Sequence, residues 1–120
     1  MKLAITSSGK TLADAVDPRF GRAAFFIVVD TETGASKAHA NTQSLNAAQG
    51  AGIQAAETVS HLGASVVLTG HCGPKAFRAL TAAGIQVVVG AGGSGQDALK
   101  QFQDGDLKPA EKPDVEGHWA

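Results

Sequence analysis

The stretch SVVLTGHCGPKAFRALTAAGIQVVV, residues 65–89, decides the fold. It opens with the apolar run 65–69, which is typical of a strand buried on both faces. Pro74 suits the first turn of a helix, because the N–H that proline lacks would have no helical partner there. Phe77, Leu80 and Ala83 would share one face of that helix, and a second apolar run follows at 85–89. A strand, a helix and a strand in this order predict a right-handed parallel crossover within one sheet.

The remaining segments predict the other elements of an α/β domain. Strands are expected over residues 2–6, 24–30 and 35–41, and the turn TETG, residues 31–34, joins the last two as a hairpin. Helices are expected over residues 52–63 and from Ser94, which forms a capping box with Asp97. The predicted order is β-β-β-α-β-α-β-α. We therefore expect a single mixed five-stranded sheet with flanking helices, in which the first strand is central and separates the hairpin from the two later strands.

Composition narrows the class of protein. The chain has 120 residues, 43% of them hydrophobic and 18% charged, which is typical of one soluble domain. Its apolar runs are too short for a membrane span or a secretory signal, and one cysteine excludes an internal disulfide. A cytoplasmic location is therefore expected. A net charge of −1 gives no reason to expect binding to nucleic acid.

The charges are distributed unevenly along the chain. Residues 1–103 contain eight basic and six acidic residues, whereas residues 104–120 contain two basic and five acidic residues. The second segment is also rich in proline, so we expect 1–103 to form the folded domain and 104–120 to be an acidic, flexible tail. One hypothesis is that this tail shields a cationic site on the domain until an anionic guest arrives.

Three glycine-containing loops, residues 7–9, 70–73 and 90–95, are expected to leave strands at their carboxyl ends. In open α/β sheets, ligands bind at this edge, and glycine lets a ligand approach the main chain closely. Two of the loops lead into helix N-termini, which favour an anion. Each loop taken singly is equally explained by turn geometry alone. Their convergence favours an anion site whose main-chain donors are Gly70, Gly73, Gly92, Gly93 and Ser94.

The loop HCGPKAFR, residues 71–78, also matches the His-Cys-(five residues)-Arg pattern of phosphatases, in which a low-pKa cysteine attacks phosphate. Cys72 and Arg78 would then be the reactive pair. Pro74 argues against this reading because it offers no N–H to a phosphate, and Lys75 stands where such loops carry glycine. A third interpretation is that Cys72 packs as a small apolar residue at the end of a strand.

A second stretch, DPRFGRAAFF at residues 17–26, places two arginines around a Phe-Gly pair. If the chain turns here, the guanidinium groups of Arg19 and Arg22 can point at one spot. Arginine donates several hydrogen bonds from a fixed, weakly hydrated fork, which suits a large, soft anion. The alternative is a salt bridge from Arg19 to Asp17 or Asp14.

These two stretches, together with NAAQGAG at residues 46–52, resemble the dinitrogenase iron–molybdenum cofactor-binding family. The resemblance covers about residues 1–103 and implies a ribonuclease-H-like topology. It also implies that the chain binds, carries or helps to assemble a molybdenum-containing metal–sulfide cofactor. Within the family, the chain is similar to the orange-protein group, whose members hold a molybdenum–copper sulfide cluster without covalent attachment.

The resemblance implies a non-catalytic carrier of a molybdenum–copper sulfide cluster or, alternatively, of an iron–molybdenum type cluster. A carrier of this kind implies a cofactor-donor or cofactor-acceptor protein as its partner. Related carriers often have histidine before the Phe-Gly pair, where this chain has Arg19, which stays protonated and would pair with sulfide rather than ligate a metal. His71 and Cys72 are candidates for direct ligation. A module that binds a small phosphate metabolite is a further alternative. The expected cofactor-binding residues are Arg19, Phe20, Gly21, Arg22, Gly70, His71, Cys72, Gly73, Gly92, Gly93 and Ser94.

Overall fold

The structure is a computed structural model that describes residues 1–42 and 50–114. Five strands and three helices follow one another in the predicted order. They are β1 Lys2–Ser7, β2 Phe25–Asp30, β3 Ser36–Ala40, α1 Ala51–His61, β4 Val66–Leu68, α2 Pro74–Ala82, β5 Gln86–Val88 and α3 Gly95–Gln103. The apolar runs at 65–69 and 85–89 do form strands, although each pairs over three residues only.

The strands form one mixed sheet in the order β3-β2-β1-β4-β5. The central strand β1 pairs antiparallel with β2 and parallel with β4. The hairpin partner β3 is antiparallel to β2, and β5 is parallel to β4. The predicted layout is confirmed, and it brings the carboxyl ends of β1, β4 and β5 to the same edge of the sheet.

The core is divided between the two faces of the sheet. Leu3 and Ile5 belong to the cluster that packs against α3, whereas Ala4 belongs to the cluster that packs against α1 and α2. This alternation is the period of two that a strand covered on both faces requires. Helices on both faces explain why β1 is buried from Leu3 to Ser7 and β4 is buried along its whole length.

The helix ends follow the local sequence signals. Pro74 lies in the first turn of α2, and Ser94 and Asp97 form a capping box at the start of α3. Gly63 and Gly84 follow α1 and α2 with φ of 81° and 78°, a left-handed conformation that glycine adopts without strain. No helix within residues 1–42 and 50–114 is long and apolar enough to cross a membrane.

The segment after α3 contacts the body of the protein. The N–H of Ala110 donates to the carbonyl of Val87 at 2.7 Å, and Pro109 pairs with Val88 as an isolated bridge. Leu107 packs against the cluster on the α3 face. Residues 115–120 lie outside the described part of the chain. The division into a domain at 1–103 and a flexible tail at 104–120 stays a prediction.

Candidate functional site

The segment between β1 and β2 crosses the carboxyl edge of the sheet. There it makes main-chain hydrogen bonds to each of the three glycine loops. The bonds run from Ser8 N–H to Ala15 O at 3.0 Å, from Val16 N–H to Gly93 O at 2.9 Å and from His71 N–H to Pro18 O at 2.8 Å. The loops that the sequence predicted to share one edge are therefore joined by a single stretch of chain.

Arg19 lies directly beside His71. Pro18 accepts a hydrogen bond from His71 N–H, and Phe20 N–H donates to His71 O at 3.2 Å, so that Arg19 and His71 form one step of a parallel ladder. Arg19 is exposed, and its main-chain N–H donates to Asp17 Oδ1 at 3.1 Å. Across residues 1–42 and 50–114, no ion pair engages the guanidinium of Arg19 or Arg22. The salt bridge considered as an alternative for Arg19 is thus not formed within these residues.

The turn that carries the Phe-Gly pair and the two arginines, residues 17–22 and here called the arginine turn, is anchored by contacts on the protein side. Phe20 is fully buried, and its ring packs on Phe26 with 5.7 Å between the ring centroids. The side-chain amide of Asn41 donates to Gly21 O at 3.2 Å and to Ala23 O at 2.9 Å. Phe20 and Gly21 therefore shape the turn, while Arg22 is exposed on its outer side. Within the described residues, no hydrogen bond or ion pair joins Arg22 to residues 70–73.

Gly70 is required by close approach of the main chain. A Cβ atom at this position would lie 2.8 Å from both the Cα and the carbonyl oxygen of Pro18. Real Cβ atoms do not come this near to main-chain atoms, so any side chain here would push the two loops apart. Glycine at residue 70 is what allows the arginine turn to lie against the loop after β4.

The start of α2 carries free main-chain donors. Gly73, the N-cap residue, provides no side-chain cap, because it has no side chain to do so. Within residues 1–42 and 50–114, the N–H groups of Gly73, Lys75 and Ala76 make no hydrogen bond. Unpaired N–H groups and the helix dipole together favour an anion at this point.

The third glycine loop, residues 90–95, offers fewer main-chain N–H donors than the sequence predicted. The N–H of Ser94 is already bonded to Asp97 Oδ2 at 3.1 Å, as part of the capping box. The N–H groups of Gly92 and Gly93 have no hydrogen-bond partner among the described residues. Of the predicted donors in this loop, Gly92 and Gly93 are therefore the ones available to a guest.

Cys72 is fully buried in the cluster that also holds Phe77 and Leu80. Burial raises the pKa of its thiol from 9.0 to about 12, and the nearby negative charge of Asp114 adds to the rise. A phosphatase needs the opposite, a cysteine whose pKa is lowered so that the thiolate forms at neutral pH. The environment of Cys72 favours the packing interpretation, and its buried sulfur does not face the loop surface.

Cys72 should react slowly with a thiol-alkylating reagent. A pKa of about 12 rather than 9.0 means that the native thiolate fraction at pH 8 is lower by about a thousandfold than in the unfolded chain. We expect alkylation by iodoacetamide at pH 8 to be slower by at least this factor in the native protein, as followed by mass spectrometry. The protein unfolded in guanidinium chloride is the control. Rapid modification of the folded protein would restore the nucleophile reading.

His71 is the more accessible of the two candidate ligands. Its side chain is 41% exposed, and its Nδ1 lies 3.0 Å from Asp114 Oδ2. In the part of the chain that the structure describes, no group of three or more His, Cys, Asp or Glu residues is arranged to hold a metal ion.

Two residues at this edge were missed by the sequence analysis. Asn41 was read only as the end of an edge strand, yet its amide holds the arginine turn. Asp114 was read only as one charge of an acidic tail, yet its carboxylate meets the loop after β4. Neither has a local pattern, because each contacts residues at least 18 positions away. The NAAQ part of the NAAQGAG stretch, residues 46–49, lies outside the described residues.

A separate hollow of about 460 Å³ lies between the edge strand β3 and the end of α1. None of the predicted site residues contributes to its walls. It is lined by Lys2, Val28, Asp30, Ala35, Ser36, Lys37, His39, His61 and Leu62. It is therefore distinct from the edge where the glycine loops meet.

The protein is thus a mixed-sheet α/β domain whose carboxyl edge, where ligands bind in this class, carries the exposed Arg19 and the N–H groups at the start of α2 that have no partner among the described residues. The chain belongs to the dinitrogenase iron–molybdenum cofactor family, whose family model matches residues 1–105. The resemblance drawn from the arginine turn and the strand–loop–helix stretch is confirmed by this match.

Solved structures of similar proteins agree in fold along almost the whole chain. The apo form of the orange protein from Desulfovibrio gigas is 45% identical, covers 95% of this chain and 96% of its own, and superposes with a TM-score of 0.90. A NifB-like protein from Thermotoga is 33% identical, covers 97% of this chain and 98% of its own, and superposes with a TM-score of 0.81. A relative compared by sequence alone, an uncharacterised protein of Methanocaldococcus jannaschii, is 27% identical over 113 residues, which are 92% of either chain. Family and neighbours together indicate a cofactor-binding protein.

Proposed function

We propose that the protein binds and carries an anionic molybdenum-containing metal–sulfide cluster, without catalysing a reaction. The observation that carries the proposal is the position of Arg19. This exposed arginine has no ion pair within the described residues and lies beside His71, next to the start of α2. We infer that the guanidinium of Arg19 and the N–H groups at the start of α2, which have no partner among the described residues, can engage the same guest.

The chemistry of a sulfide cluster fits these groups. Sulfide on a metal cluster is a soft, weakly hydrated anion, and a guanidinium loses less hydration than an ammonium when it pairs with one. Soft metals prefer thiolate ligands, but the chain has a single cysteine and that cysteine is buried. The cluster would therefore enter with its own sulfur and be held by Arg19, Arg22, the donors of α2 and those of Gly92 and Gly93. His71 is the side chain placed to approach a metal.

The identity that we propose for the cluster is based on the resemblance. The orange-protein group implies a molybdenum–copper sulfide cluster, and the 45% identity to the Desulfovibrio gigas protein supports this choice over an iron–molybdenum type cluster. We infer a cofactor-donor or cofactor-acceptor protein as partner, with neither nucleic acid nor membrane involved. The proposed location is the cytoplasm.

Loading the purified protein tests the proposal. We expect a soluble molybdenum sulfide anion, supplied together with Cu(I), to give a coloured protein that keeps both metals through gel filtration. The matched variant is Cys72→Ala, which we expect to load equally, because the buried sulfur does not face the guest. The readouts are the visible spectrum and metal analysis.

Two results would contradict the proposal. Protein that emerges from gel filtration colourless and free of metal would overturn cluster carriage. Hydrolysis of a generic aryl phosphate by the native protein but not by Cys72→Ala would favour the phosphatase alternative instead.

A further inference from the structure

We propose that Asp114 acts as an internal anion that occupies part of the cluster site, so that binding of the cluster must displace it. This inference rests on the proposed function and adds to it a mode of regulation. The C-terminal residues would keep the loop after β4 closed to weak anions and yield to the intended guest.

The carboxylate of Asp114 is held by both of its oxygens. Oδ1 accepts a hydrogen bond from the N–H of Cys72 at 2.8 Å, and Oδ2 lies 3.0 Å from Nδ1 of His71. The main-chain N–H of Asp114 also donates to Cys72 O at 3.3 Å. Three contacts thus fasten one residue of the tail to the two residues that precede the N-cap of α2.

These contacts lie where the proposed guest would bind. The N–H of Cys72 makes one good hydrogen bond at a time, so a cluster sulfide and the carboxylate compete for it. The adjoining N–H groups of Gly73, Lys75 and Ala76 have no partner in the described part of the chain, and Arg19 is the ladder neighbour of His71. A carboxylate placed among these groups also repels a second anion. The two occupants are therefore mutually exclusive at this point.

Asp114 can detach from the loop after β4 without loss of the packing that holds the earlier part of the tail. Its firm attachment is earlier, where Ala110 donates to Val87 O in β5 and packs against the core cluster. Between the two attachments, Glu111 and Lys112 are exposed. Release of Asp114 would therefore move a short arm, residues 111–114, about a hinge after Ala110. Little buried apolar surface would be lost.

Full-length variants test the competition. We expect Asp114→Ala to bind the molybdenum–copper sulfide probe with a dissociation constant about tenfold lower than the native chain, as for a site that is open about one-tenth of the time. Asp114→Asn, which keeps an acceptor oxygen but loses the charge, should fall between them. Glu111→Gln is the matched control, because it removes an exposed charge from the same arm without touching the loop. It should bind like the native chain.

A second measurement follows the displaced contact itself. In amide NMR spectra of the native chain, the Cys72 N–H signal should shift on addition of the probe, because its acceptor changes. In the probe-free Asp114→Ala variant, the same signal should already be shifted from its native position. In the Glu111→Gln variant, the Cys72 N–H signal should lie at its native position without the probe and should shift on addition of the probe as in the native chain.

The possible outcomes separate the two proposals. Equal affinity of Asp114→Ala and the native chain would overturn the competition and leave cluster carriage intact. Weaker binding by Asp114→Ala would also overturn it and would show that Asp114 supports the site, for example by orienting His71. Failure of the native chain and of every variant to bind the probe would overturn both proposals.

Discussion

Replacement of both Arg19 and Arg22 by glutamine is expected to weaken cluster binding by about a hundredfold, or about tenfold for each arginine. This figure takes the lower end of what a hydrogen bond to a charged group contributes, because both side chains are exposed and screened by salt. The measurement is a titration of each variant with the molybdenum–copper sulfide anion, followed in the visible spectrum. Affinity should also fall as the salt concentration rises, and it should fall less steeply in the double variant.

Two matched variants sharpen this result. Arg78→Gln removes an exposed arginine from α2 and should bind the cluster like the native chain, whereas the phosphatase reading makes Arg78 essential. Arg19→Lys keeps the charge but loses the planar fork, so it separates simple attraction from shaped hydrogen bonding. Native affinity in the double glutamine variant would remove the basis for placing the cluster at the arginine turn. Native affinity in Arg22→Gln alone would restrict the contact to Arg19.

Gly70→Ala is expected to lower the free energy of unfolding by about 1–3 kcal/mol, the usual range for overpacking a closely packed position. The added Cβ would lie 2.8 Å from main-chain atoms of Pro18, and main chain cannot rotate aside as a side chain does. Separation of the loops would strain the bond from His71 N–H to Pro18 O, which measures 2.8 Å. Urea unfolding monitored by circular dichroism measures the change.

Gly92→Ala is the control for the Gly70 substitution. A Cβ at Gly92 would have no atom within 4 Å, and its φ is not in the left-handed region, so its stability should stay within about 0.5 kcal/mol of native. The Gly70 variant should also bind the cluster less tightly, since Arg19 moves with Pro18. Equal stability of the two alanine variants would show that the arginine turn does not press on Gly70.

Together, these expectations describe a site made of two loops held against each other. The arginine turn supplies charge, and the loop after β4 supplies the start of a helix. Gly70 sets the distance between them, and Phe20 and Asn41 hold the turn from the protein side. In our proposal, the Asp114 carboxylate occupies part of this site, at His71 and Cys72, until the cluster displaces it. The hollow beside β3 has no part in this arrangement.

Much of the fold was open to prediction because its determinants are local. The helix start at Pro74 depends on a missing N–H, and the start at Ser94 on a side chain that caps its own helix. The apolar runs near residues 66–68 and 86–88 could only lie between two layers of helices. Chain connectivity then left few ways to order the strands.

The same distinction between local and distant determinants applies to the site. Arg19 and Arg22 stand out in the sequence because two cations flank a Phe-Gly pair, and the glycine loops stand out by their place after strands. The availability of their donors was not visible. Ser94 was counted as a donor, but its N–H serves the capping box, and Cys72 was counted as lining the site, but its side chain points into the core.

The sequence by itself determined the order of the elements and the starts of α2 and α3, and it singled out Arg19 and Arg22 as candidate cations. These follow from periodicity, capping and strand ends, which act over a few neighbouring residues. Only the tertiary structure decided that Pro18 presses on Gly70 and that Asp114 bonds to Cys72, 42 positions away. Such contacts form when distant segments pack on a common sheet, and no local pattern of side chains encodes which partner each will meet.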